Sequence, residues 1–231
     1  MQYFVTGATG FIGKRLVKTL LARKGATVYF LLRKESERKV PELLEYWGTT
    51  KARAIPVFGD LTGKKLGVAA DDIKGLKGDI DALFHLAAVY DLKADEETQI
   101  QANIEGTRNV VEFAKAIDAK HLHHVSSIAA AGLYEGVFRE DMFDEAENLD
   151  HPYFNTKHES EKIVRKESKV PWTVYRPAFV VGDSQTGEMD KIDGPYYFFG
   201  LLAKLAALPR FTPMMLPDVG RTNLVPVDFV V

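Results

Sequence analysis

Tyr153 and Lys157 stand four residues apart in a stretch with helical periodicity, so their side chains fall on one face. A tyrosine alone titrates near 10 and is a poor proton donor at neutral pH. A neighbouring ammonium favours the phenolate and lowers that value. Such a pair can deliver a proton to a carbonyl oxygen while a hydride reaches the carbon. Tyr-x-x-x-Lys is common by chance, and a half-buried tyrosine beside a solvated lysine is the plainer explanation when nothing else supports it. Support comes from Val125-Ser126-Ser127, which closes an apolar segment that reads as a strand. Ligands of open α/β sheets sit beyond the carboxyl ends of strands. A hydroxyl there, from Ser127 or from its neighbour Ser126, can bond a substrate oxygen and orient the tyrosine.

A second constellation opens the chain. Thr6-Gly7-Ala8-Thr9-Gly10-Phe11-Ile12-Gly13 lies between a predicted strand and a predicted helix, with the spacing G-x-x-G-x-x-G. In that context the loop backbone from Thr9 to Ile12 faces a pyrophosphate at a helix N-terminus. Glycine triplets alone also mark turns; the strand–loop–helix setting makes this one a dinucleotide fingerprint. The end of the next strand tells NAD from NADP. An acidic residue there would bond the ribose 2′-hydroxyl, whereas Leu32 is followed by Arg33-Lys34. The forked Arg33 guanidinium suits a 2′-phosphate and favours NADPH over NAD. The plainer reading of Arg33 is a solvated surface cation.

These residues need elements to hold them. Apolar runs at 2–6, 26–32, 52–57, 80–86, 122–126 and 172–175 read as strands, and 12–24, 37–47, 96–117 and 153–167 as helices. Strands alternating with helices predict parallel βαβ units, hence a doubly wound Rossmann-type α/β sheet covered on both faces. The predicted division is 1–182 for the nucleotide-binding part with Ser127, Tyr153 and Lys157, then 183–231 as a substrate-binding or lid segment that ends early. That segment carries Gly187, Gly194, Pro195, Pro209, Pro213 and Pro217 around an apolar patch, Tyr196-Tyr197-Phe198-Phe199, and Leu201–Leu208. It reads either as a short helix packed on the core or as a flap over an apolar substrate.

Composition narrows the classes. The chain has 231 residues, 46% of them hydrophobic, a net charge of −2 and no cysteine. Cysteine catalysis and thiolate metal sites are impossible, and a nucleic-acid partner would call for a basic excess. No leader or spanning segment is apparent, so a cytoplasmic protein with at most peripheral membrane contact is expected. His121, His123 and His124 cluster at the start of a strand, at the amino end of the sheet and away from the chemistry; alternation sends the last two to opposite faces, so they read as structural or surface residues and no metal is expected. His85 reads as a satisfied core histidine.

With a glycine loop, Ser127, Tyr153 and Lys157 in this order, the chain resembles the extended short-chain dehydrogenase/reductases along essentially its whole length. The resemblance implies that Asp60 and Leu61 lie near the adenine and that Ala87-Ala88 let the backbone pass close to the dinucleotide. It further implies that Arg176-Pro177 reaches the nicotinamide end, that Ser126, Tyr153 and Lys157 also contact the cofactor, Lys157 bonding the nicotinamide ribose, and that Asn103 is structural or serves a proton relay. Within that family the likeness is to thioester reductases of the bacterial fatty acyl-CoA reductase kind. It rests on His85-Leu86-Ala87-Ala88-Val89-Tyr90-Asp91, on Gly187-Glu188-Met189-Asp190-Lys191-Ile192-Asp193-Gly194 and on Val225-Pro226-Val227-Asp228. The implied activity is NADPH-dependent reduction of a long-chain acyl-CoA to the aldehyde, with a second hydride giving the alcohol. The implied partners are a small-molecule substrate, a second copy in a homodimer, and a further fused domain. Ile128-Ala129-Ala130 after Ser127 excludes the extra acid–base pair of nucleotide-sugar dehydratases. A carbonyl reductase, a nucleotide-sugar epimerase or a non-catalytic NADP sensor remain the competing readings.

Overall fold

The computed structural model describes residues 1–88, 97, 100–190, 196–209 and 223–231. It divides into two units, Met1–Pro177 with Val231, and Ala178–Val230.

The first unit is built on six strands: β1 (Gln2–Thr6), β2 (Thr27–Leu32), β3 (Ala54–Phe58), β4 (Ala82–His85), β5 (Leu122–Val125) and β6 (Trp172–Tyr175). They form one sheet in the order β3-β2-β1-β4-β5-β6 with every pairing parallel. The order reverses between β1 and β4, which opens a crevice at their carboxyl ends. Helices α1 (Phe11–Ala22) and α2 (Val40–Trp47) cover one face. Their Val17, Leu20, Leu21, Leu43 and Trp47 bury against Tyr3, Val5, Val28 and Phe30. On the other face α3 (Ala70–Leu76), α4 (Gly106–Ala116) and α5 (Pro152–Glu167) pack on Phe4, Leu83 and Leu122 through Leu76, Phe113, Ile117, Ile163 and Val164. Strand alternation sorts the two sets: Phe4 faces one layer while Tyr3 and Val5 face the other. Phe4 and Phe113 are fully buried with ring centroids 4.8 Å apart, and truncating either to alanine should cost about 3–5 kcal/mol.

Three local differences from the sequence expectation have physical causes. The helix expected over 37–47 is a 3-10 turn at Lys34–Lys39 followed by α2 with Pro41 in its first turn, because proline begins a helix more readily than it continues one. The short α3, with Asp71 and Asp72 in its first turn, carries too few apolar residues to show a period. The long helix expected over 96–117 is π-helical at Ile100–Glu105 and α-helical only from Gly106; Glu96 lies outside the described residues.

In the second unit, β7 (Phe179–Val181) pairs in parallel with β8 (Leu224–Pro226), which runs into α7 (Val227–Val230). Helix α6 spans Tyr196–Ala206. The expected helix forms, and Tyr197, Phe199, Leu201 and Leu202 on it are exposed. Tyr196 ties its start to the strand end through its hydroxyl, 2.6 Å from Gly182 N. Ser184 binds the Asp228 carboxylate through its backbone N–H and its hydroxyl at 2.8 and 2.7 Å. No described helix is long and apolar enough to cross a membrane.

Candidate active site

The loop after β1 needs its glycines. Gly7 has φ +76°, and a Cβ there would lie 2.7 Å from Ala87 N. A Cβ on Gly13 would run into the carbonyl of Gly7. Gly10 caps α1 with extended backbone and no side-chain bond, and its N–H meets Gly7 O at 3.0 Å. The first N–H groups of α1, from Phe11 and Ile12, therefore open toward the loop, where a pyrophosphate fits a helix N-terminus. Thr9 and Gly10 are exposed at the mouth, and Ala87 and Ala88 follow the end of β4 beside it. Val89, Tyr90 and Asp91 lie outside the described residues.

Beyond β2 and β3 a cleft of about 420 Å³ is lined by Arg33, Lys34, Glu35, Phe58, Gly59, Asp60 and Gly67. Arg33 is exposed there. Lys34 is engaged by Glu37 at 2.7 Å and lies over the Phe58 ring at 4.3 Å. Asp60 accepts from Thr62 N and Thr62 Oγ1 at 2.9 and 2.6 Å. Those bonds, aided by the Arg33 charge, hold its carboxyl below the usual range against the effect of burial. Leu61 packs against the apolar cluster under the sheet instead of lining this cleft, and its carbonyl accepts from Asn109 Nδ2. The glycine cradle and the helix N-terminus suit a dinucleotide, and the cleft beside β2 sets Arg33 and Lys34 beside the carboxylates of Glu35 and Asp60.

The second cluster lies where β5 ends. His151 caps α5, its Nδ1 accepting Tyr153 N–H at 3.1 Å, and Pro152 starts the helix. Tyr153 is 9% exposed and Lys157, one turn on, is 5% exposed. Lys157 Nζ donates to Val125 O at 3.2 Å, the last carbonyl before the two serines. His158 Nδ1 donates to Ala130 O at 3.0 Å in the 3-10 turn that follows them. Helix α5 is thus fastened on both sides of Ser126-Ser127. Ser127 caps that turn, its Oγ accepting Ala129 N–H at 3.2 Å, and is partly accessible with its own proton left to donate. Ser126 is buried, and its Oγ has no hydrogen-bond partner in good geometry, though it lies near enough to Glu161 to favour that carboxylate. Of the two serines, Ser127 is the accessible one. Pro177 meets the same turn, its carbonyl accepting Ile128 N–H at 3.2 Å.

Burial pushes the Lys157 ammonium down to about 8, with Glu161 partly offsetting it. Glu161 has no exposed surface. Arg176 bonds it with two nitrogens, at 3.1 and 2.7 Å, and Arg165 adds a third bond at 2.8 Å. Burial would raise its pKa, but the bonds and charges of these arginines outweigh it and keep it below the usual range. Arg176 also donates to Met142 O and Arg139 O, anchoring the loop that leads into α5. The sequence pattern gave no sign of this anchor, because its partners lie 15 and 34–37 residues away.

Lys157 between 8 and 10.5 is deprotonated in the folded protein while the unfolded chain still binds its proton. Stability therefore rises with pH through that window, and at pH 7 the buried charge costs on the order of 3 kcal/mol. Lys157→Met, which also leaves Val125 O without its donor, is expected to stabilise the fold by about 1–2 kcal/mol at pH 7. The gain should vanish near pH 10. Denaturant unfolding at both pH values checks it.

The histidines require one correction. His121 and His123 lie on the partly exposed face, ring centroids 4.6 Å apart and tilted by 40°. His124, expected away from the chemistry, is instead buried beside His85 at 5.2 Å and close enough for the Lys157 charge to act on it. The reason is position: β5 starts at Leu122, which puts His124 only two residues before Ser126 on the same face. His85 is buried with a partner on each ring nitrogen, as read from the sequence.

The protein family described as "Male sterility protein" matches residues 5–231. A component of the linear gramicidin synthase of Brevibacillus parabrevis is 31% identical over 240 residues, covering 97% of this chain and 5% of that protein. An aldehyde reductase of Aspergillus flavus is 31% identical over 251 residues, covering 99% of this chain and 24% of that protein. Among solved structures, the terminal R domain from the myxalamid PKS-NRPS biosynthetic pathway superposes with TM-score 0.80 at 28% identity, over 99% of this chain and 60% of that one. The chain thus spans a small part of these curated relatives, which are larger proteins. The match along almost its full length, on a sheet of this order and a glycine cradle of this shape, establishes that the chain belongs to the male sterility-type, NAD(P)-binding family of extended short-chain oxidoreductases.

Proposed function

We propose that the chain reduces a fatty acyl-CoA thioester to its aldehyde with NADPH, using Tyr153, Lys157 and Ser127. The observation that carries this reading is the fastening of α5 across the end of β5. It brings a buried lysine with a lowered pKa, a tyrosine one turn away and an accessible serine hydroxyl to the carboxyl edge of the sheet, the edge on which the glycine cradle opens.

The loop Gly7–Gly13 and the α1 N-terminus would hold the pyrophosphate, Arg33 the 2′-phosphate, and Lys157 the nicotinamide ribose, with Ala87, Ala88 and Pro177 bordering the dinucleotide. Bound NADPH supplies the hydride. Ser127 donates a hydrogen bond to the thioester oxygen, and Tyr153 gives it a proton as negative charge develops. Lys157 stabilises the resulting phenolate. Tyr153 then takes back the hydroxyl proton of the hemithioacetal as its C–S bond breaks, releasing the aldehyde and a thiolate that takes its proton from water; a second round would give the alcohol. A thioester carried on a protein-bound pantetheine arm is the second reading, favoured by the likeness to a gramicidin synthase and to the R domain of a PKS-NRPS pathway.

NADPH oxidation with palmitoyl-CoA, decanal and a nucleotide-sugar separates the readings. Turnover with the thioester supports the proposal. Turnover with decanal alone means a carbonyl reductase, and conversion of the nucleotide-sugar to its epimer with no net coenzyme consumption, read by product analysis, means an epimerase-type enzyme. Tight NADPH binding without turnover means a sensor. The coenzyme preference has its own test. Removing one charge-assisted contact costs roughly 1.5–3 kcal/mol, so Arg33→Ser should weaken NADPH binding on the order of 10–100-fold and leave NADH binding nearly unchanged, as titration calorimetry would show.

A further inference from the structure

His85 ends β4 with 2% of its surface exposed. Its Nδ1 lies 2.8 Å from Thr6 Oγ1 and its Nε2 lies 3.0 Å from Thr107 Oγ1. The direction of these bonds is fixed by what surrounds them. Thr107 Oγ1 lies 2.6 Å from the carbonyl of Asn103, which can only accept, so the single hydroxyl proton goes there. Thr107 must therefore accept from His85, which puts the ring proton on Nε2. Nδ1 is then an acceptor and Thr6 donates to it, while Thr6 Oγ1 accepts Ala87 N–H at 3.3 Å. One ordered chain runs Ala87 to Thr6 to His85 to Thr107 to Asn103.

Its two ends lie at the two halves of the site. Thr6 precedes the glycine loop, and the Ala87 backbone is the surface against which Gly7 must fit. Asn103 sits in the π-helical turn before α4, and its Nδ2 donates to Thr156 Oγ1 at 3.3 Å. Thr156 in turn donates to the Tyr153 carbonyl at 3.2 Å. π-helical turns recur where function requires a side chain or carbonyl to be re-aimed.

We infer that His85, held as the neutral Nε2–H tautomer, is a positioning residue that couples the glycine loop to the Tyr153 helix through Thr107 and Asn103. This rests on the reading of Tyr153 as the acid. The charged and titratable groups facing His85 are Lys157 from α5 and His124 from β5; Thr6 and Thr107 are uncharged. Burial first, then the Lys157 charge, pushes the His85 imidazole to about 3, so the tautomer persists through the physiological range.

The test has an arm that needs no turnover. In the full chain labelled with 15N-histidine, the His85 signals are identified by their loss in His85→Gln. They should report Nε2–H with an acceptor Nδ1, unchanged from about pH 5.5 to 8.5, a span in which an ordinary histidine titrates. Thr6→Val should weaken NADPH binding on the order of tenfold, the size of one buried hydrogen bond lost. Thr107→Val should lower kcat by a similar factor with KM for NADPH nearly unchanged, and Thr107→Ser, which keeps the hydroxyl, should restore it. A His85 that titrates in that range or carries its proton on Nδ1 overturns the inference. So does a folded Thr107→Val with unchanged kcat beside a Thr6→Val with unchanged NADPH affinity. Should Tyr153→Phe prove fully active, the reading of the acid fails, while the tautomer and the NADPH affinity of Thr6→Val still decide whether His85 organises the loop.

Discussion

Tyr153→Phe is expected to lower kcat on the thioester by about 10²–10⁴-fold while leaving NADPH affinity within about twofold, the range that a positioned general acid contributes. The side chain keeps its ring, so its contacts with Phe154 and its place in the first turn of α5 survive. In the proposed mechanism what is lost is the proton that the thioester oxygen needs as charge develops, and water reaches a 9% exposed position poorly. Steady-state kinetics with a fluorescence titration of NADPH checks both halves. Loss of NADPH binding in parallel with kcat would mean that Tyr153 holds the nucleotide rather than the reaction.

Glu161→Gln carries the second largest expectation. The carboxylate is fully buried, and two arginines have organised around it. Neutralising it leaves Arg165 and Arg176 facing an amide, and breaking a buried ion pair from one side costs about 3–5 kcal/mol. Chemical denaturation measures that loss directly. A second effect is electrostatic: Glu161 raises the Lys157 pKa, so its removal should move the Lys157 titration below about 8 and bring the alkaline limb of kcat/KM with it to lower pH. A variant destabilised by less than about 1 kcal/mol, with an unmoved pH profile, would show that neither arginine nor lysine depends on this group. The loop anchored by Arg176 through Met142 and Arg139 is expected to loosen at the same time, which proteolysis between Leu133 and Asp150 would register.

What the sequence made legible was whatever repeats with a short period or sits at a fixed offset. The alternation of strand and helix yields the sheet, and the glycine spacing yields the cradle, because both are local consequences of backbone geometry. Tyr153 and Lys157 share a face for the same reason. The Glu161–Arg176 clamp and the chain through His85 were not legible, since Thr6, His85, Thr107 and Thr156 are spread over four elements and meet only after the sheet has formed. His124 was misplaced because β5 is only four residues long, so that a residue near its start already lies two positions from Ser126. The apolar run after Tyr196 showed its helical period but not its exposure, which depends on what covers it and not on its own pattern. Within the loop-rich C-terminal segment, Lys191, Ile192, Asp193, Gly194, Pro195, Pro213 and Pro217 lie outside the described residues.

The central claim is that hydride and proton are delivered to a thioester carbon at the end of β5. Incubation of the full chain with palmitoyl-CoA and NADPH deuterated at the transferring position of nicotinamide C4 tests it directly. The account predicts a long-chain aldehyde or alcohol carrying deuterium on its former carbonyl carbon, with one thiol of CoA released per molecule. Unlabelled product, or oxidation of the coenzyme with no thiol released, would contradict it.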